Sequence, residues 1–218
     1  MELHKLPNQL VDSVYSPDLD DIAFEISEIG LDQFLDKDFI KELPVVGVIA
    51  RIFKDSLDMR NRIFLAKVAR FLFRLKDVTK EQNKAFEEKI RNDPNLKRKV
   101  GQTLVLILER LDNLEKPDMV GKCFACYLSN KITFSQFRRL SSAIDLAFID
   151  DLNALLGIAD ASDEFLKNTK ENLAMTGFIR FQGGGEMNGG DKISYFLSPL
   201  GQLFIDIMTD KLDKVLTL

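Results

Sequence analysis

The chain has 218 residues, of which 45% are hydrophobic and 29% are charged, and its formal net charge is −4. A chain of this length buries roughly 70% of its unfolded surface without disulfide bonds, and the composition excludes disordered and collagen-like proteins. Because attraction to phosphates needs a positive face, the negative charge argues against nonspecific nucleic-acid binding by the whole chain.

The sequence predicts a cytoplasmic protein. The first residues lack the long apolar core behind a basic start that marks a secretory signal, and the chain has only two cysteines, Cys123 and Cys126. The longest run without a charged residue, 193–205, is thirteen residues long and contains a proline and a glycine. Since a spanning helix needs about 20 apolar residues, we expect no transmembrane segment.

The first 180 residues are predicted to be helical. Residues 18–42 contain nine acidic and two basic residues among apolar ones, which predicts short acidic helices broken near Gly30. Pro44 fits the first turn of a helix over residues 43–58, and a second helix or a kinked continuation follows over residues 59–77.

Start signals divide the next residues into further helices. "TKEQ" at residues 79–82 matches a capping box and opens a helix through Ile90. Pro94 and Pro117 open the next two helices. "TFSQ" at residues 133–136 is a second capping box, heading a helix that runs past Leu152. Because no repeat or low-complexity linker separates these helices, they predict one compact bundle.

The last 58 residues change to helix, strand, turn, strand, helix. A helix over residues 162–177 ends at Gly177, "FIRFQ" and "KISYFL" form the strands, and Ser198 with Pro199 opens the last helix. Between the strands, residues 183–190 hold five of the chain's twelve glycines. A phosphate-binding loop would lead into a helix N-terminus, whereas this one leads into a strand. The loop is therefore predicted to be a hairpin tip.

Two stretches resemble known families. "NLAMTGFIRFQ…KISYFLSPLGQLF" resembles the end of a winged-helix domain, over about 50 residues. The preceding part, from "LPVVGVIARIFKDSLDMRNRIFLAKVARFLFRL" through "KITFSQFRRLSSAIDLAFIDDL", resembles uncharacterised bacterial proteins of mobile and defence-associated loci. The whole layout is similar to the Abi-alpha family of abortive-infection proteins. No functional motif matches residue by residue, so the resemblance implies a context in phage defence and no catalytic residue.

A winged helix implies a possible DNA-binding surface on its recognition helix and wing. The candidate DNA contacts are Lys167, Lys170, Arg180 and Lys192. Residues 161–218 carry eight acidic and six basic residues, a net charge of −2. That balance favours protein contact or dimerisation over DNA binding.

A stronger charge signal lies in residues 60–76, which carry six basic residues and no acidic one. At about 100° per residue, one helix face carries Arg60, Lys67, Arg70 and Arg74. An adjoining face is apolar and carries Phe64, Val68, Phe71, Leu72 and Leu75. The apolar face can be bundle core with its basic flank against the acidic residues 18–42. Alternatively, the helix can lie on an anionic membrane surface or on a nucleic-acid backbone.

Catalytic and metal chemistry find little support. Cys123 and Cys126 form a CxxC motif, but a zinc site would need four ligands, and His4 is the only histidine. Because both cysteines fall within a predicted helix, core packing is the favoured interpretation. A nucleophile and histidine pair is hard to build with one histidine near the N-terminus.

Two further patterns leave function open. Asp145, Asp150 and Asp151 occur together, and we interpret them as a solvated helix face. Seventeen phenylalanines without a tryptophan predict an aromatic-rich core or an apolar groove between helices.

The sequence thus predicts a mostly α fold, a helical bundle with a C-terminal winged-helix-like β-hairpin. Its predicted parts are an acidic segment (1–42), a helical bundle (43–157) and a winged-helix-like module (158–218). The predicted function is a non-enzymatic interaction or sensor protein, without metal or cofactor, that binds a protein partner or an inner membrane face through the basic helix. The alternative is a winged-helix DNA-binding regulator. Homo-oligomerisation is compatible with either.

Overall fold

The computed structural model describes residues 5–16, 46, 49, 58–76, 78–157, 163–184 and 192–212. The chain divides into an N-terminal unit, residues 1–134, and a C-terminal unit, residues 135–218. This division differs from the three predicted parts. The acidic residues 18–42 lie outside the described residues, as does the predicted helix over residues 43–58 apart from two buried positions, Val46 and Ile49.

The described residues are mostly helical. The helices of the N-terminal unit are α1 (Leu6–Val14), α2 (Met59–Phe73), α3 (Lys80–Asn92), α4 (Pro94–Arg110) and α5 (Lys116–Leu128). The elements of the C-terminal unit are α6 (Phe134–Leu146), α7 (Ile149–Leu155), α8 (Asp163–Thr176), β1 (Ile179–Gly184), β2 (Lys192–Leu197) and α9 (Pro199–Met208). The predicted helical bundle with a C-terminal hairpin is confirmed.

Local start signals account for several helix boundaries. The Thr79 hydroxyl accepts a hydrogen bond from the Gln82 backbone N–H at 3.3 Å, and the Gln82 side chain accepts one from the Thr79 N–H at 2.9 Å. This is the predicted capping box. Pro94 begins α4 after the Asp93 side chain, which accepts from the Leu96 N–H at 2.9 Å. Each cap satisfies backbone donors that the first helical turn leaves without a partner.

Helix α2 lies in the core of the N-terminal unit, packed against α4 and α5. All five residues of its predicted apolar face are buried, so the prediction that this face is bundle core is confirmed. Aromatic rings fill the space between α2, α3 and α5: the ring centroids of Phe71 and Phe124 are 5.4 Å apart, and Phe86 lies edge-on to Phe124 at 6.1 Å. Part of the phenylalanine content therefore forms an aromatic core.

Helices α2 and α5 approach closely because Gly121 has no side chain. A Cβ atom at this position would lie 2.7 Å from the Phe71 carbonyl oxygen and 2.8 Å from the Arg74 Cβ. Both distances are shorter than ordinary van der Waals contact. Any larger residue would push the two helices apart.

The C-terminal unit joins α7 and α8 to the hairpin. Strands β1 and β2 pair antiparallel, with Phe181 opposite Tyr195 and Gly184 opposite Lys192. The prediction of a hairpin is therefore confirmed, and its glycine tip, residues 185–191, lies outside the described residues. The Phe178 and Phe204 rings, 4.8 Å apart, fix α9 against the start of the hairpin.

One predicted element was wrong. The helix headed by "TFSQ" does not continue past Leu152, because α6 ends at Leu146 and α7 begins at Ile149. Phe148 between them has an extended backbone, with ψ 144°, and its side chain is exposed instead of joining the apolar face. Periodicity alone missed this break since Phe148 and Leu152 keep the helical spacing.

No helix in the described part of the chain is both long enough and apolar enough to span a bilayer.

Candidate docking groove in the C-terminal unit

An open groove of about 640 Å³ runs between α6, the end of α8, β1 and the start of α9. Three consecutive residues of β1, 179–181, contribute to one wall. The apolar lining residues come from three of these elements and are Ala174, Ile179, Phe181, Pro199, Leu200 and Leu203. The groove is therefore an apolar concave surface within a single unit.

The backbone conformation of Gly177 and the hydrogen bonds of Ser198 shape the groove. Gly177 ends α8 with φ +88°, a conformation that favours glycine. The Ser198 hydroxyl donates to the Gly177 carbonyl at 2.6 Å and accepts from the Gly201 N–H at 3.0 Å. Ser198 thus caps α9 and ties its first turn to the end of α8, so both helices border the groove.

Two arginines are among the lining residues. Arg139 lies on α6 and Arg180 on β1, and both side chains are exposed. Neither forms an ion pair or a side-chain hydrogen bond with the described residues. Among the described residues, no aspartate or glutamate lines the groove. The groove therefore combines apolar walls with one exposed basic residue, Arg139, because strand alternation places the Arg180 side chain on the face opposite Phe181.

The hairpin exposes an aromatic ring on each face. Phe181 is 68% exposed and Phe196 is 53% exposed. Phe181 is opposite Tyr195, whereas Phe196 is opposite Arg180, and neighbouring strand residues point to opposite faces. The two phenylalanines therefore lie on opposite faces, with Phe181 on the groove.

Sequence reasoning had singled out Arg180 but missed Arg139 and Phe181. The alternation of "FIRF" could have indicated that Ile179 and Phe181 share one strand face and that Arg180 lies on the other. The position of Arg139 beside the hairpin is a tertiary contact that no local pattern predicts.

The four basic residues of the predicted membrane or partner surface face acceptors within the N-terminal unit. Arg70 and Arg74 share one carboxylate: their Nε atoms lie 2.8 and 2.9 Å from the two Asp118 oxygens on α5. Arg60 pairs with Glu109 of α4, and the buried Lys67 ammonium donates to the Glu109 backbone carbonyl at 3.2 Å.

These contacts mean that a membrane or partner can bind the predicted basic surface only by competing with carboxylates of the same unit. The predicted acidic partner, residues 18–42, lies outside the described residues. Asp118 and Glu109 already form ion pairs with three of the arginines. An anionic lipid headgroup would have to compete with these carboxylates. Binding through this helix stays a prediction.

The candidate DNA contacts are only partly described. Lys167 and Lys170 are exposed on α8 and Arg180 is exposed on β1. None of the three forms an ion pair with the described residues. Lys192 begins β2, but its side chain lies outside the described part.

The CxxC cysteines are free thiols on α5. Cys123 is completely buried and Cys126 is half-buried, so Cys123 packs in the core as predicted. Burial raises the pKa of the Cys123 thiol far above its ordinary value, which opposes the thiolate that redox or metal chemistry needs. The described residues contain no group of three or more His, Cys, Asp or Glu side chains placed to hold a metal ion.

Asp151 departs from the prediction of a solvated face. Asp150 is exposed, but Asp151 is only 4% exposed. Its carboxylate accepts from the Thr169 hydroxyl at 2.8 Å and from the Asn172 amide at 3.0 Å. Both donors belong to α8, so this buried polar cluster joins α7 to α8. The interpretation as solvated charge was wrong for Asp151 because the packing of α8 covers it.

No family model, no curated protein and no solved structure matches this chain.

Proposed function

We propose that this chain is a non-enzymatic interaction protein whose C-terminal unit docks a protein partner in the groove. The observation that carries the proposal is an open apolar groove with the largely exposed Phe181 at its wall. A concave apolar surface can bury the apolar groups of a partner and so remove both from water. Aromatic residues and arginine are also the residue types enriched at protein interfaces, and both line this groove.

The cellular context of the proposal rests on resemblance alone. The stretch that ends in "KITFSQFRRLSSAIDLAFIDDL" resembles proteins of defence-associated loci, and the helical body with its "LSPLG" end is similar in layout to the Abi-alpha family. Both resemblances suggest a cytoplasmic role in phage defence. In that context the partner would be a bacterial or phage protein. Plaque counts on cells with and without the gene test this context separately from the groove.

Site-specific photo-crosslinking tests the docking function. A photoreactive phenylalanine analogue is placed at Phe181 and, as a control, at Leu106, which is 59% exposed on α4 of the N-terminal unit. We expect a discrete adduct in intact cells from position 181 and none from position 106. Adducts identical at both positions, or none at position 181, would contradict the proposal.

Binding of the purified partner then gives the energetic test. Mass spectrometry identifies the crosslinked protein, and its dissociation constant is measured for the wild type and for Phe181→Ala. An aromatic anchor at an interface contributes about 2 kcal/mol or more, so we expect binding to weaken by roughly thirtyfold. A change of less than about threefold would mean that Phe181 is not an anchor.

The second candidate function is a winged-helix DNA-binding regulator. The observation that favours it is a set of exposed cations on α8 and β1 that form no ion pair within the described part of the chain, namely Lys167, Lys170 and Arg180. It predicts binding to duplex DNA that weakens as salt is added. The logarithm of the association constant should fall with the logarithm of the salt concentration, with a slope of roughly −1 for each phosphate contact. Changing Lys167 and Lys170 to glutamate would abolish this binding. If the wild type does not bind duplex DNA at low salt, this candidate fails.

A further inference from the structure

We infer that the groove of the C-terminal unit binds an extended peptide strand, which pairs with the free edge of β1 and carries apolar side chains at every second position. This inference rests on the proposed docking function and names the conformation and chemistry of the partner segment. It follows from the direction of the backbone groups of β1 and from the side chains beside them.

The backbone of β1 forms part of the groove wall. Ile179, Arg180 and Phe181 all line the groove, although neighbouring side chains of a strand point to opposite faces of the sheet. Three consecutive residues border one groove when it follows the edge of the strand, where the backbone itself is exposed. Among the described residues, β1 pairs with β2 alone, and none of those that line the groove belongs to β2. The groove therefore runs along the edge of β1 that faces away from β2.

One hydrogen bond determines which backbone groups point to this edge. In an antiparallel ladder, opposite residues that bond to each other alternate with opposite residues whose N–H and C=O groups point away from each other. The Ser198 N–H donates to the Phe178 carbonyl at 2.9 Å. This bond lies one residue beyond the pair of Ile179 with Leu197, so it occupies a bonded position of the ladder. By alternation, the backbone groups of Ile179 and Phe181 point away from β2 and toward the groove.

These outward groups favour an extended occupant. A free strand edge presents a row of backbone donors and acceptors that matches another strand. Among the described residues, no third strand, side chain or other backbone group pairs with this edge. A helix bonds its own backbone groups internally, so a helical occupant would displace water from the edge without replacing its hydrogen bonds. An extended segment replaces them, as in complexes in which a peptide adds a strand to a sheet.

The side chains beside the edge favour apolar residues at alternate positions of the occupant. Ile179 and Phe181 share one strand face, and Phe181 is 68% exposed. Leu200 and Leu203 of α9 line the same groove. A strand added to β1 would place every second side chain on the face of Phe181, where apolar groups leave water together with the ring. The intervening side chains would lie on the face of the exposed Arg180 and can be polar.

Peptide selection followed by backbone methylation tests the inference. The full-length protein selects binders from a yeast-displayed library of random 12-residue peptides, and we expect apolar residues at alternate positions. One enriched peptide is synthesised as a series in which each backbone N–H in turn carries a methyl group. Fluorescence anisotropy gives the dissociation constants. Methylation at every second residue should weaken binding roughly tenfold or more, since it removes a bond to β1, and methylation at the intervening residues should change it less than about threefold.

Proline variants of the protein test the edge of β1 directly. Phe181→Pro removes the outward N–H and the ring, whereas Phe181→Ala removes the ring alone. We expect the proline variant to bind the peptide at least about fivefold more weakly than the alanine variant. Edge strands tolerate proline where the N–H faces solvent, and circular dichroism verifies the fold of each variant. If a proline variant does not fold, the methylated peptides decide the question.

Tyr195 provides the matched control because it lies opposite Phe181. Its backbone groups point to the other edge of the hairpin. Tyr195→Pro and Tyr195→Ala should therefore bind the peptide with affinities that agree within about threefold. A loss in Tyr195→Pro as large as that in Phe181→Pro would mean that distortion of the hairpin, and not the edge of β1, controls binding.

Other outcomes overturn the inference in distinguishable ways. Methylation effects that do not alternate would mean an occupant other than a strand and would leave docking in the groove intact. Failure to enrich any peptide would also overturn the inference, and crosslinking at position 181 would then decide on docking alone. A wild type that is dimeric at micromolar concentration, and whose Phe181 amide resists hydrogen exchange without peptide, would assign the edge to a second copy of this chain.

Discussion

Gly201 lies in the first turn of α9 with no room for a side chain. A Cβ atom here would be 2.2 Å from the Phe178 carbonyl oxygen and 2.7 Å from a Leu197 methyl carbon. The Phe178 carbonyl is held in place because it accepts from the Ser198 N–H at 2.9 Å. The glycine of "LSPLG" therefore lets α9 pack against the chain that enters the hairpin.

We expect Gly201→Ala to lower the free energy of unfolding of the C-terminal unit by about 1–3 kcal/mol, the usual cost of overpacking. The clash is with backbone, which cannot move aside as a flexible side chain can. Chemical denaturation measures the change. Gln202→Ala, at the next and exposed position, serves as the control and should cost less than about 0.5 kcal/mol. Equal effects would mean that the close approach is unimportant.

Cys123 gives the fold a dependence on alkaline pH. Burial, helped by the neighbouring Cys126 thiol, raises its pKa well above the ordinary value of 9.0. Above that value the unfolded chain releases the thiol proton while the folded chain keeps it. The folded state then binds more protons, so the free energy of unfolding falls as the pH rises.

Between pH 9 and pH 10 this loss is expected to approach about 1.4 kcal/mol per pH unit for one thiol. Cys123→Ala should be less stable at pH 7 but should lose less stability over this range. The measurement is urea denaturation under reducing conditions at several pH values. Cys126→Ala keeps the buried Cys123 thiol, so its free energy of unfolding should fall with rising pH as that of the wild type does. Parallel pH profiles for the wild type and Cys123→Ala would contradict the expectation.

The residues that sequence could and could not predict differ in the range of their contacts. Thr79 was predictable as a cap because its partner, Gln82, lies three residues away. Asp151 was not, because its donors, Thr169 and Asn172, belong to another helix. The position of Arg139 at the groove depends equally on how α6 is placed beside the hairpin. Hydrogen bonds between residues a few positions apart can be predicted from the sequence, whereas burial and ion pairing depend on tertiary packing.

At the scale of elements, α2 shows why a correct helix prediction left its role open. Its apolar and basic faces both followed from spacing, but nothing local indicated that Asp118, 44 residues beyond Arg74, would accept from two of its arginines. The Asp118 side chain is 14% exposed and those of Arg70 and Arg74 are 36% exposed. The partly buried carboxylate joins α2 to α5 beside the close contact at Gly121.

Asp118→Asn tests whether this ion-pair cluster stabilises the bundle. Loss of the charge leaves two half-buried guanidinium groups without a counterion, and we expect the free energy of unfolding to fall by about 1–2 kcal/mol. Glu115→Gln makes the same change in charge at an exposed residue of the preceding turn and should have little effect. Thermal and urea denaturation give the comparison.

The same variant bears on membrane binding through α2. Asp118→Asn frees Arg70 and Arg74. If α2 contacts membranes, more of this variant than of the wild type should sediment with anionic phosphatidylglycerol vesicles. We expect no such gain, because the apolar face that would enter the bilayer is already buried in the bundle. Stronger sedimentation of a folded variant with anionic but not with neutral vesicles would favour the membrane surface.

At the scale of the whole molecule, each compact unit has an apolar centre of its own. Phe71 and Phe124 lie at the centre of the N-terminal unit, and Phe178 and Phe204 at that of the C-terminal unit. Segments with separate cores often open separately in the native state. Damage to one core should therefore remain within its unit.

Hydrogen exchange on two variants tests this separation. Asp151→Ala removes the acceptor of the buried Thr169 hydroxyl and of the half-buried Asn172 amide. A buried group without a partner costs about 1–3 kcal/mol, so the variant should accelerate exchange in α7, α8, the hairpin and α9. Gly121→Ala should accelerate exchange in α2 and α5 through overpacking. Asp150→Ala, one residue away and exposed, is the control for Asp151. If either variant accelerated both units alike, the chain would unfold as one cooperative body, and a partner bound in the groove would stabilise residues 1–134 as strongly as the unit that binds it.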